Sequence, residues 1–314
     1  MIVTVTPNPS LDRTVQVDRL VPGAVHRTVR VRLDPGGKGV NVARALAAAE
    51  VPTLAVLPSG GAEGTQLAEL LAAEAVPVVE VPVHAPTRSN LAVVENDGTT
   101  SKFNEPGPEL SAPEVAALER TAAELAARAD WVVTCGSLPA GCPDDLHARL
   151  VVAARRCGAR VGVDTSGVPL ALACRAAPDL VKPNLAELSE LAGGPLRDLG
   201  EVLDVAHQLR VGGVATVLVS LGQLGAVLVA ETGTWHATST ATELRSTVGA
   251  GDAMLAGFLR AGSTGPTALR TAVAYGTAAV GLAGSRMPGP DEVHAQRVRV
   301  DAVDKSVSLS GVAA

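Results

Sequence analysis

Short, uninterrupted apolar runs alternate along most of this chain with Ala- and Leu-rich stretches of helical length. The first strand is predicted in the short β-branched run of residues 1–6, which Pro7 ends. Apolar runs without a polar face are typical of strands that are covered on both sides, and their alternation with helices predicts a doubly wound, mainly parallel α/β sheet flanked by helices. Further strands are predicted at 53–57, 131–135, 160–164 and 216–220, and helices at 64–74, 144–157, 202–210 and over most of 250–284.

Length and composition fit one folded domain. The chain has 314 residues, of which 47% are hydrophobic and 18% charged, so we expect a single domain over residues 1–314. Only 2% of the residues are aromatic, and the net charge is −6. Nucleic-acid binding depends on base stacking and on neutralised phosphates, so we expect no nucleic-acid partner.

The N-terminal segment gives no sign of export. Residues 1–6 contain no basic segment and no small-residue cleavage site, and no apolar run in the chain is long enough to span a bilayer. We therefore expect a cytoplasmic protein without a membrane partner.

Two segments have a different pattern from the rest. At about 11–33 and again at 87–105, polar and β-branched residues alternate, as they do in strands with one face in water. Residues 96–98, Asn-Asp-Gly, are typical of a β-hairpin turn. We predict that the two segments pair into a small antiparallel β lid, separate from the main sheet.

The strongest local motif is a glycine-rich turn at 247–252, Thr-Val-Gly-Ala-Gly-Asp, which runs directly into an apolar helix. Small residues at Gly249, Ala250 and Gly251 let backbone N–H groups approach a ligand, and a helix N-terminus adds unpaired donors and partial positive charge. Such a nest suits a phosphoryl group in transfer. Asp252, in the first turn, is either a catalytic base or a carboxylate that only interacts with the helix dipole.

A second glycine cluster, residues 34–43, also precedes a helix. It combines close backbone approach with a cation, Lys38, and an amide, Asn41. It is not a P-loop, because neither Ser nor Thr follows Lys38, and it is not the G-x-G-x-x-G of dinucleotide-binding folds. On this pattern alone, a ligand-binding loop and a glycine-capped turn both remain open.

Five motifs taken together resemble those of the PfkB (ribokinase-like) carbohydrate kinases in order and approximate spacing. They are Gly-Gly-Lys-Gly-Val-Asn-Val-Ala at 36–43, Gly-Ser-Leu-Pro at 136–139, Lys-Pro-Asn at 182–184 with Glu187, Ser-Leu-Gly at 220–222 with Gly225, and Gly-Ala-Gly-Asp at 249–252. Each is weak alone, but five in register over nearly the whole chain make a specific match. The segments 6–12 and 103–108, with Lys38, are most similar to the branch of 1-phosphofructokinases and tagatose-6-phosphate kinases.

The resemblance implies a ribokinase-like fold, ATP as the phosphoryl donor, Mg²⁺ as its helper and a homodimer built through the β lid. It also implies that Asp252 accepts the proton of the sugar hydroxyl, while residues 249–251 form an anion hole. The implied substrate-binding residues are Asp12, Gly36, Gly37, Lys38, Asn41, Asn90, Asn104 and Ser137 for the sugar, and Arg88 with Arg27 for its phosphate. The implied nucleotide-binding residues are Lys182, Asn184, Glu187, Ser220, Gly222, Gly225, Thr247, Gly249 and Gly251.

Several of these roles are also chemically sensible. Asp12, just after the first strand, can accept hydrogen bonds from two sugar hydroxyls, with a turn carboxylate that caps the lid as the alternative. Arg88 and Lys38 offer bidentate and point-charge recognition of a phosphate. Glu187 either organises magnesium-bound water or only caps a helix. Lys182 either reaches a phosphate or is solvated.

The sequence therefore predicts ATP-dependent phosphorylation of a ketose monophosphate, first of all D-fructose 1-phosphate to D-fructose 1,6-bisphosphate. Tagatose 6-phosphate is the close alternative, because it too carries one phosphate and a free primary hydroxyl at opposite ends. Fructose 6-phosphate comes third, since Lys38 replaces the small residue expected in that branch. Two other classes fit less well: a non-catalytic sugar-phosphate sensor has no need of Asp252, and a nicotinamide-dependent oxidoreductase needs a fingerprint that is absent.

Overall fold

In the computed structural model, which describes residues 1–240, 244–294 and 296–311, the chain forms two β-sheets with helices packed on both faces of the larger one. The strands are β1 (Ile2–Val5), β2 (Ser10–Gln16), β3 (Arg30–Gly36), β4 (Thr53–Ser59), β5 (Val78–Pro82), β6 (Arg88–Val94), β7 (Thr100–Asn104), β8 (Trp131–Cys135), β9 (Arg160–Asp164), β10 (Leu180–Val181), β11 (Thr216–Ser220), β12 (Ala226–Ala230), β13 (Gly233–Ser239) and β14 (Val298–Asp301). The helices are α1 (Lys38–Ala48), α2 (Gly61–Ala73), α3 (Ala112–Ala126), α4 (Leu146–Arg156), α5 (Gly167–Arg175), α6 (Leu185–Ala192), α7 (Leu199–Val211), α8 (Ala250–Arg260), α9 (Gly265–Val280) and α10 (Pro290–His294).

The large sheet has the strand order β14-β13-β12-β11-β10-β9-β8-β1-β4-β5. All pairings from β5 to β11 are parallel. The pairings that add β12, β13 and β14 beyond β11 are antiparallel. The prediction of a mainly parallel, doubly wound sheet is confirmed, and the antiparallel extension is a feature that the apolar pattern did not predict.

Successive side chains of the central strand β1 enter different cores. Val3 and Val5 belong to a core with residues of helices α3 to α7, whereas Ile2 belongs to a core with residues of α1, α8 and α9. All three are at most 6% exposed. Because both faces of the sheet are covered, every strand position needs an apolar or small residue, which explains the uninterrupted apolar runs.

The small sheet consists of β3, β2, β6 and β7, in this order. The predicted sheet is thus present, and its two hairpins, β2 with β3 and β6 with β7, are antiparallel. The pairing between the two predicted lid segments, β2 with β6, is parallel instead. β2 follows β1 and β6 follows β5, and since β1 and β5 run in the same direction, the chain leaves the large sheet in the same direction twice.

The last third of the chain is less helical than predicted. Residues 261–264 separate α8 from α9, and Ser263 there has a left-handed φ of 62°. After α9 come the short helix α10 and strand β14, which pairs with β13 at the edge of the large sheet. The sequence pattern had left this tail unassigned.

The helices are short relative to a bilayer. The longest one that the structure describes, α9, has 16 residues, and none of them is long and apolar enough to cross a membrane.

Candidate active site

The carboxyl ends of the central strands meet the N-termini of helices α1, α6 and α8 at one cavity. Helices α1 and α8 are each preceded by a glycine with positive φ, Gly37 at 112° and Gly249 at 75°. The cavity has a volume of about 410 Å³. Its lining residues are Ser10, Asp12, Gly37, Lys38, Asn41, Arg88, Asn90, Lys182, Asn184, Ser220, Val248, Gly249, Gly251 and Asp252. All of these except Ser10 and Val248 were assigned a role from the sequence.

Asp252 lies in the first turn of α8 and is 7% exposed. The Asn41 side chain, on α1, donates a hydrogen bond from Nδ2 to Asp252 Oδ2 at 2.9 Å. Burial raises the pKa of Asp252 to about 6, and the nearby Asp164 carboxylate acts in the same direction, while the Asn41 hydrogen bond and two lysines oppose it. A carboxylate with this pKa is ionised at neutral pH and is basic enough to accept a proton in a reaction.

The N-terminus of α8 faces the same cavity through Gly249 and Gly251. The N–H groups of a first helical turn have no acceptor within the helix, so they are available to a ligand. A Cβ atom at Gly249 would lie 2.6 Å from Met287 Cε, and one at Gly251 would lie 3.2 Å from Lys182 Nζ. Backbone donors, the positive end of the helix and Lys182 therefore combine into a site for an anionic group.

Asp164, at the end of β9, is fully buried and was not predicted from the sequence. Its Oδ1 atom accepts a hydrogen bond from Lys38 Nζ at 2.8 Å, and its Oδ2 atom lies 3.0 Å from Lys182 Nζ. Burial would raise the pKa of Asp164, but the two ammonium groups lower it below its ordinary value. Burial would lower the pKa of Lys38, but Asp164 and Glu187 raise it above its ordinary value. One carboxylate thus holds two cations at the cavity.

The sequence does contain a signal for Asp164. It closes the apolar run at 160–164, and a carboxylate at the carboxyl end of a parallel strand lies at the edge of the sheet where ligands bind in doubly wound folds. Its lysine partners are not evident from spacing, since Lys38 is 126 residues away along the chain.

Asn184 and Glu187 form a capping box at the start of α6. Asn184 Oδ1 accepts from the Glu187 backbone N–H, and Glu187 Oε2 accepts from the Asn184 backbone N–H, each at 2.8 Å. The other carboxylate oxygen of Glu187, Oε1, accepts from Lys38 Nζ at 3.1 Å. Glu187 therefore caps the helix and is also part of the charged site. Lys182 is only 3% exposed, so the solvated alternative does not apply to it.

The small sheet supplies another wall of the cavity. Asp12, on β2, accepts hydrogen bonds at Oδ1 from Ser10 Oγ (2.7 Å) and Asn90 Nδ2 (2.9 Å). A Cβ atom at Gly36 would lie 2.4 Å from Asp12 Cγ, so the glycine lets the carboxylate pack against β3. Burial raises the pKa of Asp12 above its ordinary value, although these hydrogen bonds and Arg88 oppose the shift. The neighbours of Asp12 thus fix the orientation of its carboxylate.

Arg88, at the start of β6, donates to three backbone carbonyls. Its Nε lies 3.3 Å from the Pro9 oxygen, its Nη1 2.8 Å from that of Glu105 and its Nη2 3.0 Å from that of Asn8. These contacts fix the guanidinium and leave one N–H on each terminal nitrogen. Such a pair of donors suits a bidentate contact with phosphate oxygens.

A tight turn follows β11 next to the cavity. Ser220, the last residue of β11, bridges to Asn184 and lines the cavity. Gly222 and Gly225 have positive φ (57° and 80°), and a Cβ atom at Gly225 would lie 2.0 Å from the Ala237 carbonyl oxygen. These two glycines shape the turn rather than line the cavity.

A comparison with known families identifies the chain. The profile of the pfkB family carbohydrate kinases matches residues 6–291, which include all of the cavity residues described above. The chain belongs to this family. It is therefore a sugar kinase that transfers a phosphoryl group to an alcohol.

Curated relatives of the kinase share one name. It is 41% identical over 302 residues to the 1-phosphofructokinase of Rhodobacter capsulatus, covering 94% of this chain and 95% of the relative. It is 36% identical over 305 residues to the 1-phosphofructokinase of Haloferax volcanii, covering 96% of this chain and 98% of the relative.

Solved structures confirm the ribokinase-like fold of the kinase. Phosphofructokinase-2 from Escherichia coli, in complex with potassium, superposes with a TM-score of 0.88 at 35% identity, covering 93% of this chain and 96% of that chain. Ribokinase from Arabidopsis thaliana, complexed with ribose and ATP, superposes with a TM-score of 0.72 at 25% identity, covering 93% of this chain and 97% of that chain.

Besides Gly36, Glu187, Gly222, Gly225 and Ala250, four predicted site residues of the kinase do not line the cavity. Arg27 is exposed in the segment between β2 and β3, and Ser137 is exposed after β8. Asn104, at the end of β7, lines a neighbouring cavity of about 440 Å³ that shares Asp12, Asn90 and Val248 with the first. Thr247 is exposed just before the glycine turn. Their functional roles stay predictions.

Proposed function

We propose that this kinase phosphorylates D-fructose 1-phosphate with ATP, giving D-fructose 1,6-bisphosphate and ADP. The observation that carries the proposal is the one cavity shared by Asp252, the α8 N-terminus, Asp12 and Arg88. Asp252 offers a base, and the α8 N-terminus offers a site for an anion. Asp12 can accept hydrogen bonds from sugar hydroxyls, and Arg88 can donate a pair of N–H groups to the phosphate of the substrate. The relatives named 1-phosphofructokinase favour this substrate over tagatose 6-phosphate and fructose 6-phosphate.

In the proposed reaction, Asp252 takes the proton of the free primary hydroxyl as that oxygen bonds to the γ-phosphorus of ATP. The bond between the γ-phosphorus and the bridging oxygen breaks, and its electron pair leaves with ADP. The first-turn amides of α8 and the ammonium group of Lys182 stabilise the charge of the transferred group. The small sheet, as a lid over the sugar, excludes water that would otherwise hydrolyse ATP.

The cavity fits a nucleotide whose Mg²⁺ is held mainly by phosphates and water. Among the residues that the structure describes, no cluster of three or more His, Cys, Asp or Glu side chains is suited to a metal. Both carboxylate oxygens of Glu187 already accept hydrogen bonds, so we propose that it acts on the ion through water. The bound ion supplies neutralisation of phosphate charge. The turn at 220–225, with Lys182 and Asn184, is the proposed nucleotide side.

ATP-dependent turnover of the purified protein tests the proposal. Fructose 1-phosphate, tagatose 6-phosphate, fructose 6-phosphate and unphosphorylated fructose are compared by ADP release, and the products are identified by phosphorus NMR. A highest kcat/KM for fructose 1-phosphate supports the assignment. A preference for tagatose 6-phosphate or fructose 6-phosphate would replace the proposed substrate by that sugar phosphate. No turnover of any sugar would favour the non-catalytic sensor.

The proposed base predicts an acid limit to turnover. Because the pKa of Asp252 is raised to about 6, the base becomes protonated below that pH, and kcat falls about tenfold for each further pH unit. The measurement is kcat at saturating substrates over a pH series, with near-ultraviolet circular dichroism to show that the fold persists. A limit near the ordinary carboxyl pKa of 3.8 contradicts the assignment.

Arg88→Gln is expected to weaken binding of the sugar phosphate more than the chemical step. Loss of hydrogen bonds to a charged group costs about 1.5–3 kcal/mol, so KM for the sugar phosphate rises roughly 10- to 100-fold, with kcat changed far less. Arg88→Lys keeps the charge without the fork and is expected to fall in between. An equal KM increase for unphosphorylated fructose would show that Arg88 does not bind the phosphate.

We further propose a single kinase domain over residues 1–314, with the small sheet as its lid, and a homodimer formed through that lid. The lid segments expose large apolar side chains, which a partner surface would cover. They include Val25 (93% exposed), Val29 (74%), Phe103 (55%) and Val31 (49%).

A further inference from the structure

Arg44, on α1, is a buried arginine beside the cavity that does not line it. It is 4% exposed. Its Nε and Nη2 donate to the two carboxylate oxygens of Glu74 at 2.7 and 2.8 Å. Its Nη1 lies near three acceptors: the Pro35 carbonyl oxygen at 3.0 Å, the Ser285 carbonyl oxygen at 2.9 Å and Asn41 Oδ1 at 3.3 Å.

The contact with Asn41 determines which way its amide points. An amide group has one acceptor oxygen and one donor nitrogen, and a guanidinium can only donate. With Oδ1 on Arg44, Nδ2 is directed at Asp252 Oδ2, to which it donates at 2.9 Å. The flipped amide would place N–H groups against the guanidinium and an oxygen against the carboxylate, and both contacts would be repulsive.

We propose that Arg44 is a positioning residue for phosphoryl transfer: it fixes the Asn41 amide so that Asn41 holds the Asp252 carboxylate at the cavity. This inference rests on the proposed function, in which Asp252 is the base. Arg44 touches neither the cavity nor Asp252, so it acts on the Asp252 carboxylate through Asn41.

The other contacts of Arg44 explain why an arginine is suited to this place. Pro35 is near the end of β3 in the small sheet, and Ser285 is in the loop after α9. That loop also carries Met287, whose side chain packs on Gly249. One planar guanidinium therefore holds α1 in register with the lid strand and with the loop over the α8 N-terminus.

The protonation of Asp252 reports whether its amide partner is in place. The Asn41 hydrogen bond lowers the pKa of Asp252 against burial and the Asp164 charge, which raise it, and Lys38 and Lys182 also lower it. The Cys135 thiol is a further titratable group near the Asp252 charge. It is buried, and its pKa is raised well above the ordinary value, so it stays neutral. Release of the amide therefore raises the pKa of Asp252, while the two lysines stay in place.

The test compares Arg44→Met with a matched control, Glu74→Gln. Both break the ion pair, but only the first removes the donor to Asn41. For Arg44→Met we expect the acid limb to move up by about one pH unit, so that kcat falls roughly tenfold at pH about 5 and about twofold at pH about 7, while KM changes little. For Glu74→Gln we expect the acid limb of the kcat profile to lie at the same pH as in the wild type. The proposal is overturned if Arg44→Met loses activity equally at all pH values and the acid limb of its kcat profile lies at the same pH as in Glu74→Gln and the wild type.

Two further measurements keep the result decisive. In protein with ¹³C-labelled aspartate, the Asp252 carboxyl is titrated by NMR in both variants, and its signal is assigned from its loss in Asp252→Asn. The titration reports the positioning of the carboxyl whether or not Asp252 is the base. An unshifted carboxyl in Arg44→Met refutes the inference alone, whereas an undiminished kcat in Asp252→Asn refutes the proposed role of Asp252 as the base. If Arg44→Met does not fold, Arg44→Lys is titrated in its place; and adding the Arg44 change to Asn41→Leu must cause no further shift.

Discussion

Replacing Asp252 by asparagine is expected to lower kcat by at least ~100-fold and, at the same time, to make the protein more stable at neutral pH. The loss follows from the removal of a general base, which contributes on the order of 10²–10⁴-fold in enzymes. Asparagine preserves the size of the side chain and still accepts the hydrogen bond from Asn41, so substrate KM values stay within a few-fold. An undiminished kcat would assign the proton transfer to another group.

The gain in stability follows from the raised pKa of the Asp252 carboxyl. Its pKa is about 6 in the folded protein against an ordinary value of 3.8, so the ionised form is less favourable in the folded state than in the unfolded chain. Its contribution is therefore fully present below about pH 3.8 and is lost as pH rises through about 6. Asparagine avoids this loss, and we expect a gain on the order of 1–3 kcal/mol at pH about 8.

Urea unfolding at two pH values measures this gain. The difference between Asp252→Asn and the wild type should shrink between pH about 8 and about 5, because the wild-type carboxyl becomes protonated. Asp204→Asn, an exposed aspartate on α7, is the matched control and should change stability little at either pH. A variant that is less stable than the wild type at pH about 8 would mean that the carboxylate stabilises the fold.

The sequence predicted the fold because strand burial leaves a direct mark on it. The residues of β1 are β-branched and buried on both faces because helices cover both, and this pattern is local. The parallel pairing of β2 with β6 is not a local feature, because it depends on which strands of the large sheet precede the two strands. No periodicity within either segment carries that information.

The candidate site was predicted as far as its motifs are local. The Gly-Ala-Gly-Asp turn and the glycine cluster at 36–39 show their chemistry in a few consecutive residues. Asp164 was missed because its role comes from two lysines that only the folded chain brings to it. The alternatives for Glu187, cap or charged partner, were not exclusive, because the two carboxylate oxygens have different partners.

Asp164→Ala is expected to destabilise the protein by roughly 3–5 kcal/mol, the usual effect of breaking a buried ion pair by removing one partner. Lys38 keeps Glu187, but Lys182, 3% exposed, is left as a buried ammonium group without Asp164. Urea unfolding at pH about 7 measures this deficit.

A second variant, Asp164→Asn, separates the charge of Asp164 from its shape. Asp164→Asn keeps the volume and one acceptor and is expected to lose less stability, while Glu187→Gln weakens only the Lys38 contact and is the milder control. Because the Asp164 charge raises the pKa of Asp252, any residual turnover of Asp164→Asn should have its acid limb at lower pH than the wild type. Urea unfolding across pH, with kcat profiles of both variants, measures these effects. A deficit no larger than that of Glu187→Gln, together with an acid limb at the same pH as in the wild type, would mean that Asp164 only fills space, and that the two lysines are held at the cavity by other contacts.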